Sequence, residues 1–577
     1  MDFSGFTKPF VLIFLALILA GLSFRSLASE PLGANGLTRP STVGKYLFLN
    51  TSFLKFSSNR YEKFNSIQQY RMSRSLLSQI YQNINTPNQA EAGNTETDPI
   101  IANHIRTRLE IALFIGAGAI GYNLWQEKME DDWEFEYSSL KDFVGRLYNT
   151  DQVKFDDNDI FFNWGHVYAG AFYYQAGRVN GYSPMGSVFI SIAASSFWEY
   201  IVEFREAISI NDQIMTGLGG PILGEPFHQI ASLLKRRSKT QLAKTIATYF
   251  QPIDIFQNLF DKKNIAVGNK NSKPFNFNRS NYESLELVTG LHFASRKRGD
   301  SSNLATIGID GEIINLPATS EGKINKVFTQ TSAVQLIQSL GLYESGIRDY
   351  YSYTKWVPAA YLAKNLSKDS RDRKSGYSML IGPSTATEYN SRGFDHDQDF
   401  FASVNLLGFT TDATLYEKDK YLRIVFDVYG NFSFVRPYGT SQYFNEGNSY
   451  LGAKSILRKK NYYYAFGNSV RSRVELKPAR NWKTGVEAVY QVFESISEDR
   501  KDRHPELVTR NLQLRDRHAN VKAWFKYDFD HRWNLTASIE KNYRYGRIEE
   551  FEEQNSSTFS FSDTETIYKA QLGYDML

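Results

Sequence analysis

The segment Ala519–Asp530, ANVKAWFKYDFD, decides the fold. Ala519, Val521, Ala523, Phe525, Tyr527 and Phe529 alternate with Asn520, Lys522, Trp524, Lys526, Asp528 and Asp530. Successive side chains of a strand point to opposite faces, so this segment has one apolar face and one mainly polar face along its whole length. It is about twice as long as a typical soluble strand of about five or six residues. The rhythm returns in the next segment, where Trp533, Leu535, Ala537, Ile539, Tyr543 and Tyr545 alternate with polar residues and Lys541 is the one intruder. Leu422–Tyr429 carries a weaker version, and the chain closes on Tyr568, Ala570, Leu572, Tyr574 and Met576 in the same register.

Two architectures use such strands: a soluble sandwich or barrel, and a membrane barrel with a wet lumen. Three features favour the membrane. The strands are long enough to cross the hydrocarbon at a tilt. Trp482, Trp533, Tyr543 and Tyr545 gather near strand ends, as in interfacial girdles. Tight connections at Glu417–Lys420, Pro478–Asn481 and Asp530–Arg532 alternate with longer charged ones at Ser495–Glu506 and Gly546–Thr558. Residues 281–577 therefore predict an antiparallel transmembrane β-barrel of about 12 strands, within a range of about 10–14. The last strand resembles the signal read by the barrel-assembly machinery, which usually ends in an aromatic; here the chain ends in Leu577.

Composition narrows the rest. The 577 residues carry 66 Lys and Arg against 62 Asp and Glu, a net charge of +4 that gives no support to nucleic-acid binding. Hydrophobic residues at 42% exclude both global disorder and a multi-span helical membrane protein. Without any cysteine there is no disulfide, thiolate metal site or Cys nucleophile. Residues 1–28 read as a signal peptide: Lys8, then the apolar run Pro9–Leu22, then Ser26-Leu27-Ala28. That places the mature chain in a Gram-negative envelope, with outer-membrane lipid as its surroundings.

Ahead of the barrel lie a polar irregular segment (29–100), a helical domain (101–250) and a linker (251–280). Taken with the barrel, the fold class is two-part α+β. Ile111–Leu124 is too short to span a bilayer and reads as a buried or interfacial helix. Within the core motif, 159–228, Asp159–Arg178 is one predicted helix, and Ser183-Pro184 opens a second that runs to Glu206. Ser191, Ser195, Glu199 and Glu203 form a polar stripe on that second helix. Ser209–Asp212 opens a third, short helix that stops at Gly219-Gly220-Pro221.

The ordered residues His166, Gly170, Tyr173 or Tyr174, Arg178, Asn180-Gly181, Trp198-Glu199-Tyr200, Glu203, Ser209, Asn211-Asp212, Thr216, Gly219-Gly220 and Gly224-Glu225 resemble the domain-of-unknown-function family 3943 of bacterial envelope proteins. The resemblance covers the helical part alone and implies an envelope protein without an assigned activity.

Three readings of these polar residues stand side by side. In one, His166 meets Glu199 and Glu203 from the facing helix and runs acid–base hydrolysis of lipid or cell-wall material. In another, the same trio holds a divalent metal, with Glu225 and His228 available to complete the set, although no H-E-x-x-H or E-x-x-H spacing is present. In the third they form a buried network: Arg178 pairs Glu199 or Glu203, Asn211 and Asp212 act as caps, and no cofactor is needed. The last reading goes with a structural or channel-like protein whose helical domain is periplasmic or inside the barrel. Lys522, Lys526, Asp528, Glu540 and Arg544 would then line the lumen. Lys235-Arg236-Arg237 is read as a helix end complementing the dipole, with anionic lipid as the alternative.

Overall fold

The computed structural model describes residues 103–129, 144–145, 153–261 and 282–577, except 157, 239, 297–300, 344–345, 395–396, 438, 454–456, 458–459, 497–510 and 552–555. The expected signal peptide and polar segment lie outside the described residues.

Helix α1 covers His104–Met129, α2 Ile160–Val179 and α3 Pro184–Phe197, which continues as a π-helix over Trp198–Val202. A turn at Ile210–Asp212 and a π-helical stretch, Gln213–Gly219, run directly into α4, Gly220–Arg237. The stop expected at Gly219-Gly220-Pro221 is therefore not made. Pro221 falls where the ladder changes from π to α register, so its missing N–H interrupts little. Helices α5 (Gln241–Phe250) and α6 (Ile253–Asp261) follow, the latter within the stretch read as linker. The short strands β1 (Val153–Lys154) and β2 (Ile208–Ser209) pair in parallel beside the helices.

The remaining strands are β3 (Tyr282–Arg296), β4 (Ser302–Ile314), β5 (Gly322–Phe328), β6 (Ala333–Tyr343), β7 (Gly346–Val357) and β8 (Ala360–Lys368). Then come β9 (Lys374–Phe394), β10 (Asp397–Lys418), β11 (Lys420–Arg436), helix α7 (Gly439–Asn445) and β12 (Tyr463–Ala479). β13 (Trp482–Ser495), β14 (Asn511–Asp528), β15 (Trp533–Phe551) and β16 (Ser556–Asp575) complete the chain. Twelve of these close into an antiparallel ring, β3-β4-β6-β7-β9-β10-β11-β12-β13-β14-β15-β16, with β16 pairing back to β3. β9 is shared: Thr385–Arg392 pairs β7, while Lys374–Ile381 pairs β8, which in turn carries β5 as a two-strand extension. Tight turns join β10 to β11, β12 to β13 and β14 to β15. In the last of these the Asp530 carboxylate accepts the N–H groups of Arg532 and Trp533 (2.7 and 2.9 Å), which hold it below the usual carboxylate range.

Alternation sorts the wall into two faces. Phe525, Leu535, Ile539, Tyr543, Tyr568 and Leu572 point out and are exposed. Lys526, Glu540 and Arg544 point in, where they meet charges from other strands. The helices pack on the outer face, so the lumen placement considered for them is corrected. Leu285, Gly311, Leu336, Thr354, Thr387, Val404 and Phe432 are successive register partners on seven neighbouring strands. All point outward and all are buried.

The covering groups are helical or precede α2. A Cβ on Gly311 would lie 2.8 Å from Ile230 Cδ1, and a Cβ on Gly219 would lie 3.0 Å from Val404 Cγ2. Thr354 Oγ1 donates to the Ile222 carbonyl (3.5 Å), and the Phe155 ring stacks on Phe432. A row of register partners runs across the strands, and barrel strands tilt by roughly 35–45°. The helices therefore cross the wall obliquely rather than filling the cylinder. What fills its loop end is the β11–β12 connection. Tyr443, Tyr450, Ala453 and Leu457 pack with the inward residues Phe401, Val435, Phe493, Leu512, Leu514 and Ile548.

Candidate functional site

The helical site is built on close backbone contact. A Cβ on Gly170 would sit 2.0 Å from the Thr216 carbonyl oxygen, and one on Gly220 would sit 2.4 Å from Gly170. Only glycine at Gly170 and Gly220 permits that crossing. Asp159 caps α2 by accepting from Phe161 N (2.9 Å), and Ser183 caps α3 by accepting from Gly186 N (3.1 Å). On α3 and its π-helical continuation, Ser187, Ser191, Ser195 and Glu199 are buried, and Ser191 Oγ donates to the carbonyls of Gly170 and Thr216 (both 3.1 Å).

Two polar clusters result. The first centres on Glu225, which is fully buried. Its carboxylate accepts from Tyr174 Oη (2.7 Å), Arg178 Nε (2.8 Å), Gln229 Nε2 (2.8 Å) and Thr331 Oγ1 (2.8 Å). Thr331 belongs to the barrel and in turn accepts from Trp356 Nε1 (3.2 Å). A carboxylate offers about four acceptor positions, and four donors fill them. Arg178 thus pairs Glu225 rather than Glu199 or Glu203. Its Nη1 also donates to the Tyr182 carbonyl (2.8 Å). His228 faces Gln251 Oε1 (2.8 Å) at the edge of this cluster.

The second cluster centres on Asp156, just before α2, and on Asn211. Asn211 Nδ2 donates to Asp156 Oδ1 (2.9 Å), Asn163 Oδ1 (2.7 Å) and Asp212 Oδ1 (3.1 Å), while its Oδ1 accepts from Asp156 N (3.0 Å). Ser209 Oγ donates to Asp156 Oδ2 (3.1 Å), and Ser209 N donates to Glu199 Oε2 (2.8 Å). His166 Nε2 lies 3.6 Å from Asp212 Oδ2, with Nδ1 against the Phe162 carbonyl (2.9 Å). The barrel joins here as well: Tyr464 Oη donates to the Asp156 carbonyl (2.6 Å), and Tyr462 Oη donates to the Asn158 carbonyl (2.7 Å).

Of the predicted trio, His166 and Glu199 both border the second cluster, His166 through Asp212 and Glu199 through Ser209. Glu203 caps the π-helix, its N–H donating to the Trp198 carbonyl (3.0 Å). The indole of Trp198 lies where a Cβ on Gly118 of α1 would fall (2.9 Å). Among the described residues no group of three or more His, Asp or Glu side chains is placed to hold a metal ion. The basic residues in the last turn of α4 are engaged: Lys235 pairs Asp254, and Arg237 Nη2 pairs Glu283 (2.8 Å).

Sequence reasoning missed Asp156, Thr331, Trp356, Tyr462 and Tyr464. Only the Tyr462-Tyr463-Tyr464 run carried a signal, since alternation sends its middle residue to the other face. Tyr463 Oη donates to Asp516 (2.5 Å) inside the barrel.

The lumen is the other candidate. Its charges pair across the cylinder. Arg392 on β9 reaches Glu565 on β16 and Glu540 on β15 (3.3 Å for the latter). Arg423 on β11 bonds Glu312 on β4 (2.5 Å) and Asp412 on β10 (2.6 Å). Arg471 reaches Glu388 (3.2 Å) and Glu487 (2.8 Å), and Lys355 reaches Asp427 (2.5 Å). Lys526 pairs Glu286, another tie between strands across the lumen.

Residues 152–253 match the model of a family described as a domain of unknown function, DUF3943. No curated protein matches the chain. Among solved structures the chain is similar to OmpT, an outer membrane protein of Vibrio cholerae, at 8% identity over 51% of this chain and 99% of that one, TM-score 0.20. It is also similar to the KdgM porin (11% identity, 50% and 98% covered, TM-score 0.18). The outer membrane channel DcaP of Acinetobacter baumannii gives 10% identity, 51% and 97% covered, TM-score 0.18. The closure of the barrel rests on its own strand pairing.

Proposed function

We propose that the protein is a sealed outer-membrane barrel of a Gram-negative envelope, a structural scaffold that holds the helical domain on its outer wall. In this reading its lumen transports nothing in the ground state. Its partners are outer-membrane lipid and the barrel-assembly machinery.

The observation that carries the reading is the filled interior. Arg392, Arg423 and Arg471 bond carboxylates on distant strands, and the β11–β12 connection packs an apolar cap into the loop end. An open porin needs a continuous aqueous path, whereas paired charges and an apolar cap each interrupt one. The hydrolase reading finds less support. His166 lies against Asp212, and Glu199 accepts from the Ser209 N–H, so two of the three groups that reading needs are engaged by protein partners.

Planar-bilayer recording on the folded, heat-modifiable protein tests the reading. The expected trace has no stable open level. Removing residues 439–453 is expected to produce intermittent conductance. A steady, long-lived open state in the unaltered protein would replace the scaffold with a channel.

A further inference from the structure

We propose that the helical bundle is itself embedded in the hydrocarbon of the bilayer, beside the barrel, and that lipid acyl chains cover its outward face. The inference rests on reading the barrel as a membrane barrel, and it replaces a periplasmic helical domain with an intramembrane one.

The argument begins with the covered row on the wall, Leu285 to Phe432. Exposed apolar residues flank that row on both sides. Toward the loop end of β3, β4 and β6, Leu291, Phe293, Ile307 and Leu342 point outward and are exposed. Toward the tight-turn end of β10 and β11, Leu407, Phe409, Phe426 and Val428 do the same. If those flanking residues face acyl chains, the helices between them occupy the same slab. A bundle lying wholly in the periplasm would cover only the tight-turn end.

The bundle's chemistry agrees. Pro184–Val202 is long and apolar enough to cross a membrane, and only 28% of its apolar window is buried. Its 19 residues span about 28 Å at about 1.5 Å each, against a hydrocarbon core of about 30 Å. The exposed side is made of Met185, Phe189, Phe197 and Ile201, and the buried side holds Ser187, Ser191, Ser195 and Glu199. A soluble amphipathic helix has the opposite arrangement. Helix α1 likewise exposes Ile105, Leu109, Leu113, Ile120 and Leu124. Inside, glycine contacts and saturated polar clusters are what helices use to associate where water is absent.

The absence of cysteine makes the test clean, because every introduced thiol is unique. Leu113→Cys, Phe189→Cys and Phe197→Cys would each carry a nitroxide in the full chain. The protein would be reconstituted in phosphatidylethanolamine–phosphatidylglycerol vesicles. Tyr568→Cys and Leu572→Cys report the bare wall, and Glu446→Cys reports a loop in water. All these positions are exposed, and heat-modifiable migration checks that each variant folds.

The expected result is that the three helix labels collide with oxygen more than with a nickel chelate, as the two wall labels do, and opposite to Glu446→Cys. Helix labels that favour the chelate while the wall labels favour oxygen would overturn the inference and leave the barrel reading intact. Helix labels shielded from both reagents would also overturn it, showing that a second copy or another protein covers the face. Wall labels that favour the chelate would sink the barrel reading itself.

Discussion

The lumen and the core of the helical bundle both bury charge, but they do it differently. In the lumen, Arg392, Arg423, Arg471 and Lys355 each have carboxylate partners, so the interior is a set of parallel ties. In the bundle, donors from α2, α4 and the barrel converge on one carboxylate, that of Glu225. Parallel ties share a loss among themselves, whereas a single centre transmits it to every partner. The comparison says the barrel tolerates single charge deletions and the bundle does not.

Substitution can break that contrast. The largest effect is expected for Glu225→Ala, which strands the Arg178 cation and leaves Tyr174, Gln229 and Thr331 without their acceptor. Removing one member of a buried pair costs about 3–5 kcal/mol. Limited proteolysis should cut residues 153–261 while the barrel keeps its heat-modifiable mobility; an intact bundle would refute the central role of Glu225. Next comes Gly220→Val, which places a side chain inside the α2 backbone. Overpacking of about 1–3 kcal/mol should again appear as proteolysis confined to the helices.

Arg392→Gln sharpens the other arm. It removes the ties to Glu540 and Glu565, yet Lys569 still pairs Glu540 (2.9 Å) and Arg296 still pairs Glu565 (2.8 Å). The temperature at which the barrel loses its compact gel migration should fall by only a few degrees, with brief conductance events. A collapse as large as that of Glu225→Ala would erase the distinction between the regions. Smallest of all is Arg237→Ala, since half-exposed pairs such as Arg237–Glu283 contribute about 0–1 kcal/mol. Neither gel migration nor proteolysis should change measurably.

The barrel was legible where no helix covers the wall. Ala519–Asp530 and Trp533–Tyr545 alternate cleanly, and they form β14 and β15. Across residues 297–400 the rhythm is weak, and the covered row explains why. Beneath the helices the outward positions include Gln338, Ser352, Thr354 and Thr387, all buried. A wall that faces protein need not be apolar, so the two-residue rhythm fades there. The divided pairing of β9 blurs it further.

In the helices, the start of α2 near Asp159 and the Ser183-Pro184 opening of α3 were readable, because helix starts are local properties. The pairing of Arg178 with Glu225 was not, since it depends on which faces a π-helical stretch turns toward each other. Nor could Tyr462, Tyr464 and Thr331 be connected to the helices, because roughly 100–300 residues separate the partners and no short-range pattern encodes such contacts.

The oblique row of seven strands also fixes an order of events. Residues 153–261 leave the ribosome before any strand of their dock exists, and Phe432 belongs to the seventh strand to be added. Until that sheet is assembled, the helices have no wall to lean on and their greasy sides need temporary shelter. The dock therefore becomes whole only when β11 has paired with β10, although the helices that rest on it precede every one of its strands in the chain.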